Sequence, residues 1–138
     1  MKDSIGRNQM FINLGAEKQP VPWMWGMKIK EAYMLQMHIN DRVTDGNSIL
    51  VRVLGTNRER TKADGTKNLG LSKRIEHVEA IKQGAKGYCF LDEHENGKTK
   101  KVFSDLVFEI GGFVERETGL YAVLTSILTP NEFVAINR

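Results

Sequence analysis

The sequence predicts an α+β domain: a strongly curved, mostly antiparallel β-sheet or small β-barrel, with one main helix over about residues 71–83. Three observations predict it. Asn96-Gly97 is a strong type I′ hairpin signal between the apolar run GYCFLDE and its partner KTKKVFS. VFEIGGFVE and LYAVLTSI form a second antiparallel pair across RETG. LSKRIEHVEAIKQG is the one substantial helical pattern, and no β-α-β alternation surrounds it.

Taken in order, MFINL (Met10–Leu14) reads as a short first strand. AEKQPVP is a loop whose prolines fix an extended path. From Met27 the alternate positions Ile29, Tyr33, Leu35, Met37 and Ile39 are apolar and only Glu31 breaks the period; Ile29, Tyr33 and Met37 also fit a short helix at the start, and a strand is favoured over about Tyr33–Ile39. NDRVTDGN supplies turn residues, with Asp45-Gly46 the strongest signal, and SILVRVLG is a β-branched strand. In the helix, Leu71, Ile75, Val78 and Ile81 make a core-facing stripe, with Lys73, Arg74, Glu76, His77 and Lys82 off it. Ser72 is its expected N-cap, and Lys82 and Gly84 suit its end. TPNEF carries a capping-box signature: Thr129 as cap, Pro130 first inside, Glu132 three residues on.

The 138 residues read as a single domain, 1–138, and 41% hydrophobic content is enough for a core. The lone Cys89 excludes an internal disulfide and a multi-cysteine zinc site, and in KGYCFL it reads as a buried thiol. Apolar runs are far shorter than a membrane span and MKDSIGRNQ lacks a signal-peptide pattern, so the expected location is cytoplasmic, without a membrane partner.

Net charge is +3, but its distribution is uneven. GTNRERTKADGTKNLG and the helix start carry Arg58, Arg60, Lys62, Lys67, Lys73 and Arg74 against Glu59 and Asp64. Residues 104–118 carry Asp105, Glu109, Glu115 and Glu117 against Arg116. A local field follows even though the total is small.

No GxSxG, P-loop or GxGxxG motif is present, and no cofactor is expected. His38, His77 and His94 have no local metal-ligand spacing, so a metal centre would need ligands assembled at long range; no metal ligand is assigned. Asp92-Glu93-His94-Glu95 precedes the Asn96-Gly97 turn and reads as a solvated hairpin end. Trp23 and Trp25, on the same side of an extended PVPWMWG, read either as core anchors or as a wall on which a base stacks. Tyr33, Tyr88 and Phe90 are further stacking candidates, and Gly26 permits a close approach of ligand or backbone. Asp41 and Asp45 are candidates for accepting hydrogen bonds from a base edge. Arg58, Arg60, Lys62, Lys67, Lys73 and Arg74 are the phosphate-binding candidates. Aromatic wall and basic loop together suit a protein that grips a nucleic-acid backbone and stacks one extruded base.

The order of elements resembles the small PUA-like domains, which include the EVE, YTH and SRA groups. The resemblance spans roughly Met10–Phe133 and is carried by the curved-sheet pattern, the helix LSKRIEHVEAIKQG and the run VPWMWG. It implies a flipped or exposed base in an aromatic cage, as in the specificity modules of modification-dependent restriction systems. The expected function is therefore a non-catalytic reader of a modified or flipped base, with DNA favoured over RNA as partner and an effector nuclease or NTPase beside it. Two alternatives stand next to it. One is a protein-interaction module of phage or mobile-element origin using Met27, Met34 and Met37 as an adaptable surface. The other is a small metal-dependent nuclease drawing on Asp41, Asp45 and Lys30.

Overall fold

A computed structural model describes residues 5–18, 24–59, 62–66 and 68–137. It is α+β, with one eight-stranded sheet in the order β1-β2-β5-β7-β8-β4-β3 and β6 paired to β5 off that path. The strands are β1 (Gly26–Ile29), β2 (Ala32–His38), β3 (Arg42–Asp45), β4 (Ser48–Leu54), β5 (Lys86–Glu95), β6 (Lys98–Val102), β7 (Val107–Arg116) and β8 (Gly119–Leu128). The helices are α1 (Arg7–Asn13), α2 (Leu69–Lys82) and α3 (Pro130–Ile136), and a single 3₁₀ turn covers Ile39–Asp41.

All pairs are antiparallel except β2 with β5, which run parallel in a register that sets His38 beside Asp92. A parallel pair needs a long crossover, and here the 3₁₀ turn, β3, β4 and α2 supply it. The sheet is open, because β1 and β3 end the path with no ladder between them among the described residues. It is nevertheless rolled. β2 and β4 are four places apart, roughly 19 Å in a flat sheet, yet their Cα atoms come within 8 Å.

The central strands are covered on both faces, which explains why β2 is apolar at consecutive as well as alternate positions. Leu35, Met37, Cys89 and Leu91 pack on one side with Leu71, Val78 and Ile81 of α2. Ala32, Met34, Tyr88 and Phe90 pack on the other with Met10, Phe11 and Leu14 from the α1 segment and Phe133 of α3. α2 lies close on the sheet because Gly87 has no side chain: a Cβ there would stand 2.6 Å from Ile81 Cδ1.

Several local expectations are corrected. MFINL is helix, not strand, because Met10, Phe11 and Leu14 all fall on one helical face and bury together. Asn68, not Ser72, caps α2, its Oδ1 accepting from the Leu71 amide at 3.3 Å. Ser72 lies in the first turn with its hydroxyl buried. Arg74 and His77 are not off the buried face of α2; both are buried on it beside Leu71 and Val78. RVTD, assigned to a turn region, is strand β3. Met34 and Met37 are core residues and form no surface. The hairpin turn at Asn96-Gly97 has φ of 53° and 76°, as type I′ requires, and Thr129 with Glu132 closes the capping box of α3. No described helix is long and apolar enough to cross a membrane.

Candidate binding cavity

The rolled sheet leaves a concavity of about 720 Å³ near the C-terminal end of β2. Such a volume falls within the usual range of about 300–1,000 Å³ for small-molecule sites. Its wall includes Trp25 from the start of β1, Gln36 and His38 from β2, Arg52 and Val53 from β4, Arg74 from α2 and His94 from β5. A bulge between Arg52 and Leu54 breaks the β4–β8 ladder at the wall.

Trp25 is held by its backbone and leaves its ring open. Its carbonyl accepts from the Gln36 amide at 2.9 Å and from Arg74 Nη2 at 3.0 Å. Trp25 as a residue remains 41% exposed, with the Arg74 guanidinium carbon 5.7 Å from its ring centre. Gly26 resolves in favour of backbone approach: a Cβ would stand 2.7 Å from the Met34 carbonyl, so only glycine lets β1 pair this closely beside Trp25.

Arg74 is only 5% exposed. Nη2 also donates to the Gln36 carbonyl at 2.5 Å, yet Nε and Nη1 are buried and have no hydrogen-bond partner among the described residues. Burial lowers its pKa to about 10, with Cys89 and Asp92 acting in the opposite sense, so it remains cationic at neutral pH. A buried guanidinium with free donors is costly, and an acceptor placed in the cavity offsets that cost.

A second polar network forms the floor. Asp92, fully buried, accepts from Gln36 Nε2 at 2.5 Å through Oδ2 and stands 2.6 Å from His38 Nδ1 through Oδ1. Gln36 Oε1 in turn accepts from Arg7 Nε at 2.8 Å, and Arg7 Nη2 donates to the Met24 carbonyl at 2.6 Å. His94 stacks on His38 with ring centres 4.1 Å apart, while its own Nδ1 is buried without a partner. The nearest donor atoms of His38, Asp92 and His94 lie within 4.8 Å of one another, the one such metal-ligand grouping among the described residues.

Of the sequence candidates, the structure brings Trp25, Asp41 and Arg74 to the cavity. Asp41 is paired with Arg52 at 3.2 Å. Arg74 belongs to the interior, not to the surface of the basic stretch. Tyr33 packs against His77, ring centres 5.1 Å apart, and Asp45 is exposed in the hairpin end of β3; neither lines the cavity. Arg58 follows the lining residues Gly55–Asn57 and forms a two-pronged pair with Glu115 at 2.9 and 2.8 Å. That pairing raises the Arg58 pKa and lowers that of Glu115. Lys62 is exposed in a turn closed by the Lys62 amide and Thr66 carbonyl, and Lys73 pairs with Glu76 at 3.8 Å. Trp23, Arg60 and Lys67 lie outside the described residues. Lys30 is 3.8 Å from Glu17 and does not converge with Asp41 and Asp45.

Sequence reasoning missed Arg7, Gln36, His38, Arg52, Asp92 and His94. Reading Asp92–Glu95 as a solvated hairpin end fails at Asp92, because β5 is covered on both faces as far as that residue. Gln36 was the available signal: a lone amide inside YMLQMH must find buried partners. Cys89 is inert in a different sense: burial pushes its thiol up to about 12.

Compared with protein-family models, with curated proteins and with solved structures, the chain has no match.

Proposed function

We propose that this chain is a non-catalytic nucleic-acid-binding module that takes one extruded base into the cavity beside Trp25. The observation that carries the reading is Arg74: a nine-tenths-buried guanidinium with two nitrogens unpartnered among the described residues, on the wall of the same cavity as the partly exposed Trp25. The indole offers a stacking surface that any base accepts. Arg74 offers directional donors to a base carbonyl or ring nitrogen, and Asp41 offers an acceptor at the rim. The basic stretch leaves the cavity wall at Gly55–Asn57, so a phosphate contact by Arg58 falls beside the base, and Lys62 is a further phosphate candidate. Lys73 follows from the outer face of α2.

The PUA-like identity, the preference for DNA, the modified base and an effector nuclease or NTPase partner rest on the resemblance of element order. The rolled sheet with a cavity between its strands and α2 is compatible with that resemblance. Of the three methionines in the protein-interaction reading, Met34 and Met37 are buried and Met27 is half-buried.

A binding screen tests the proposal. Methylated, hydroxymethylated and plain oligonucleotides, single- and double-stranded, are titrated by fluorescence anisotropy over a salt series. The expected result is binding that weakens steeply with salt and differs between base types. No binding to any oligonucleotide at low salt, or an affinity indifferent to salt, overturns it.

A further inference from the structure

We propose that His38, Asp92 and His94 bind a divalent first-row transition ion, zinc foremost, with its open coordination positions facing the cavity. The inference needs neither Trp25 nor the basic loop, so it stands apart from the nucleic-acid reading.

The donor set is two imidazoles and one carboxylate, a combination suited to zinc and its neighbours rather than to magnesium or calcium. The three residues come from two adjacent strands with fixed register. Asp92 and His94 are two apart on β5 and share a face; His38 is the parallel-ladder partner of Asp92 on β2. Asp92 is fully buried, and its Oδ1 stands 2.6 Å from His38 Nδ1. His94 Nδ1 is buried and unpartnered.

Supporting contacts already hold the set in place. Gln36 Nε2 fixes Oδ2 of Asp92, leaving Oδ1 for the ion, and Asn40 Oδ1 accepts from the His94 backbone amide at 3.0 Å. Such outer contacts orient ligands before the metal arrives. The rings are stacked 25° apart, with one nitrogen of each and a carboxylate oxygen of Asp92 all within 4.8 Å of one another. Capture therefore includes a turn of the half-buried His94 ring, and replacement of the proton between His38 Nδ1 and Asp92 Oδ1 by the ion. Because His38 and His94 line the cavity and Asp92 lies behind them, the free coordination positions open toward cavity solvent. Three protein ligands and an open face are the arrangement of an accessible rather than a purely structural zinc site.

The test uses the full chain stripped with chelator, titrated with Zn²⁺ by calorimetry and with Co²⁺ by visible absorption. The expected result is saturation at about one ion per chain, a ligand-field band with Co²⁺ and a raised Tm. His38→Ala and His94→Ala each weaken uptake by about 100-fold or more, beyond the 10–100-fold typical of an outer contact, while His77→Gln leaves it unchanged. His38→Gln and His94→Gln repeat the comparison should either alanine variant fail to give a native circular dichroism spectrum. Absence of one-to-one saturation, or uptake unaltered in both histidine variants, overturns the site.

Discussion

The guanidinium carbon of Arg74 lies 5.7 Å from the ring centre of Trp25 while Nη2 of the same side chain donates to the Trp25 carbonyl at 3.0 Å. One buried cation thus orients the segment carrying the indole and packs against its ring. Trp25→Ala removes the ring and leaves the backbone contacts, so the protein stays folded. Base–aromatic stacking contributes about 1–3 kcal/mol. The variant is therefore expected to bind an oligonucleotide about 5- to 150-fold more weakly, measured by anisotropy at fixed salt.

Gly26→Ala disturbs the same place through the backbone. The added methyl meets the Met34 carbonyl at 2.7 Å and the Leu35 side chain at 2.9 Å, and both sit in a packed pair of strands that cannot yield cheaply. A loss of about 1–3 kcal/mol is expected from overpacking of this kind, read from urea denaturation. Nucleic-acid binding falls with it because Trp25 is displaced.

Glu115 holds Arg58 in a two-pronged pair at the surface. Glu115→Gln releases the guanidinium for a phosphate with little change in Tm, since exposed pairs add little stability. Arg58→Gln removes that phosphate contact, and a plot of log affinity against log salt is expected to become shallower by about one unit. An unchanged slope would show that Arg58 does not reach the backbone.

How far the chain was legible shows in these same residues. Hairpin turns and the capping box of α3 were readable because each is fixed by residues within a few positions. The helical α1 was not: MFINL is too short and too uniformly apolar for period to separate helix from strand, and its partners are distant Tyr88, Phe90 and Phe133. The cavity was half legible. Trp25 and Arg74 drew attention by type, but the surface role given to Arg74 ignored that Leu71, Arg74 and Val78 share one face of α2. The Gln36–Asp92–His38 floor was invisible because it exists only through the parallel pairing of β2 with β5 across the long crossover between them, a contact no local pattern announces.

His77 gives a pH-dependent prediction. Burial, with Arg74 and Lys73 nearby, lowers its pKa from 6.5 to about 4, so the unfolded chain binds the proton more readily than the folded one. Stability is therefore full above pH 6.5 and falls as pH drops through the window toward 4. His77→Leu, which removes a buried unpartnered nitrogen, is expected to flatten that part of the acid limb in Tm against pH. An identical limb in the variant would assign the acid sensitivity elsewhere.

The cavity's occupancy by an extruded base is tested most directly with two duplexes differing only in whether the central base is mismatched. A mismatch lowers the energy of extrusion by a few kcal/mol. The wild-type chain is expected to bind the mismatched duplex more tightly, and Trp25→Ala to lose that preference while retaining salt-dependent attachment. Equal affinity of the wild type for both duplexes, with Trp25→Ala binding as the wild type does, would contradict it.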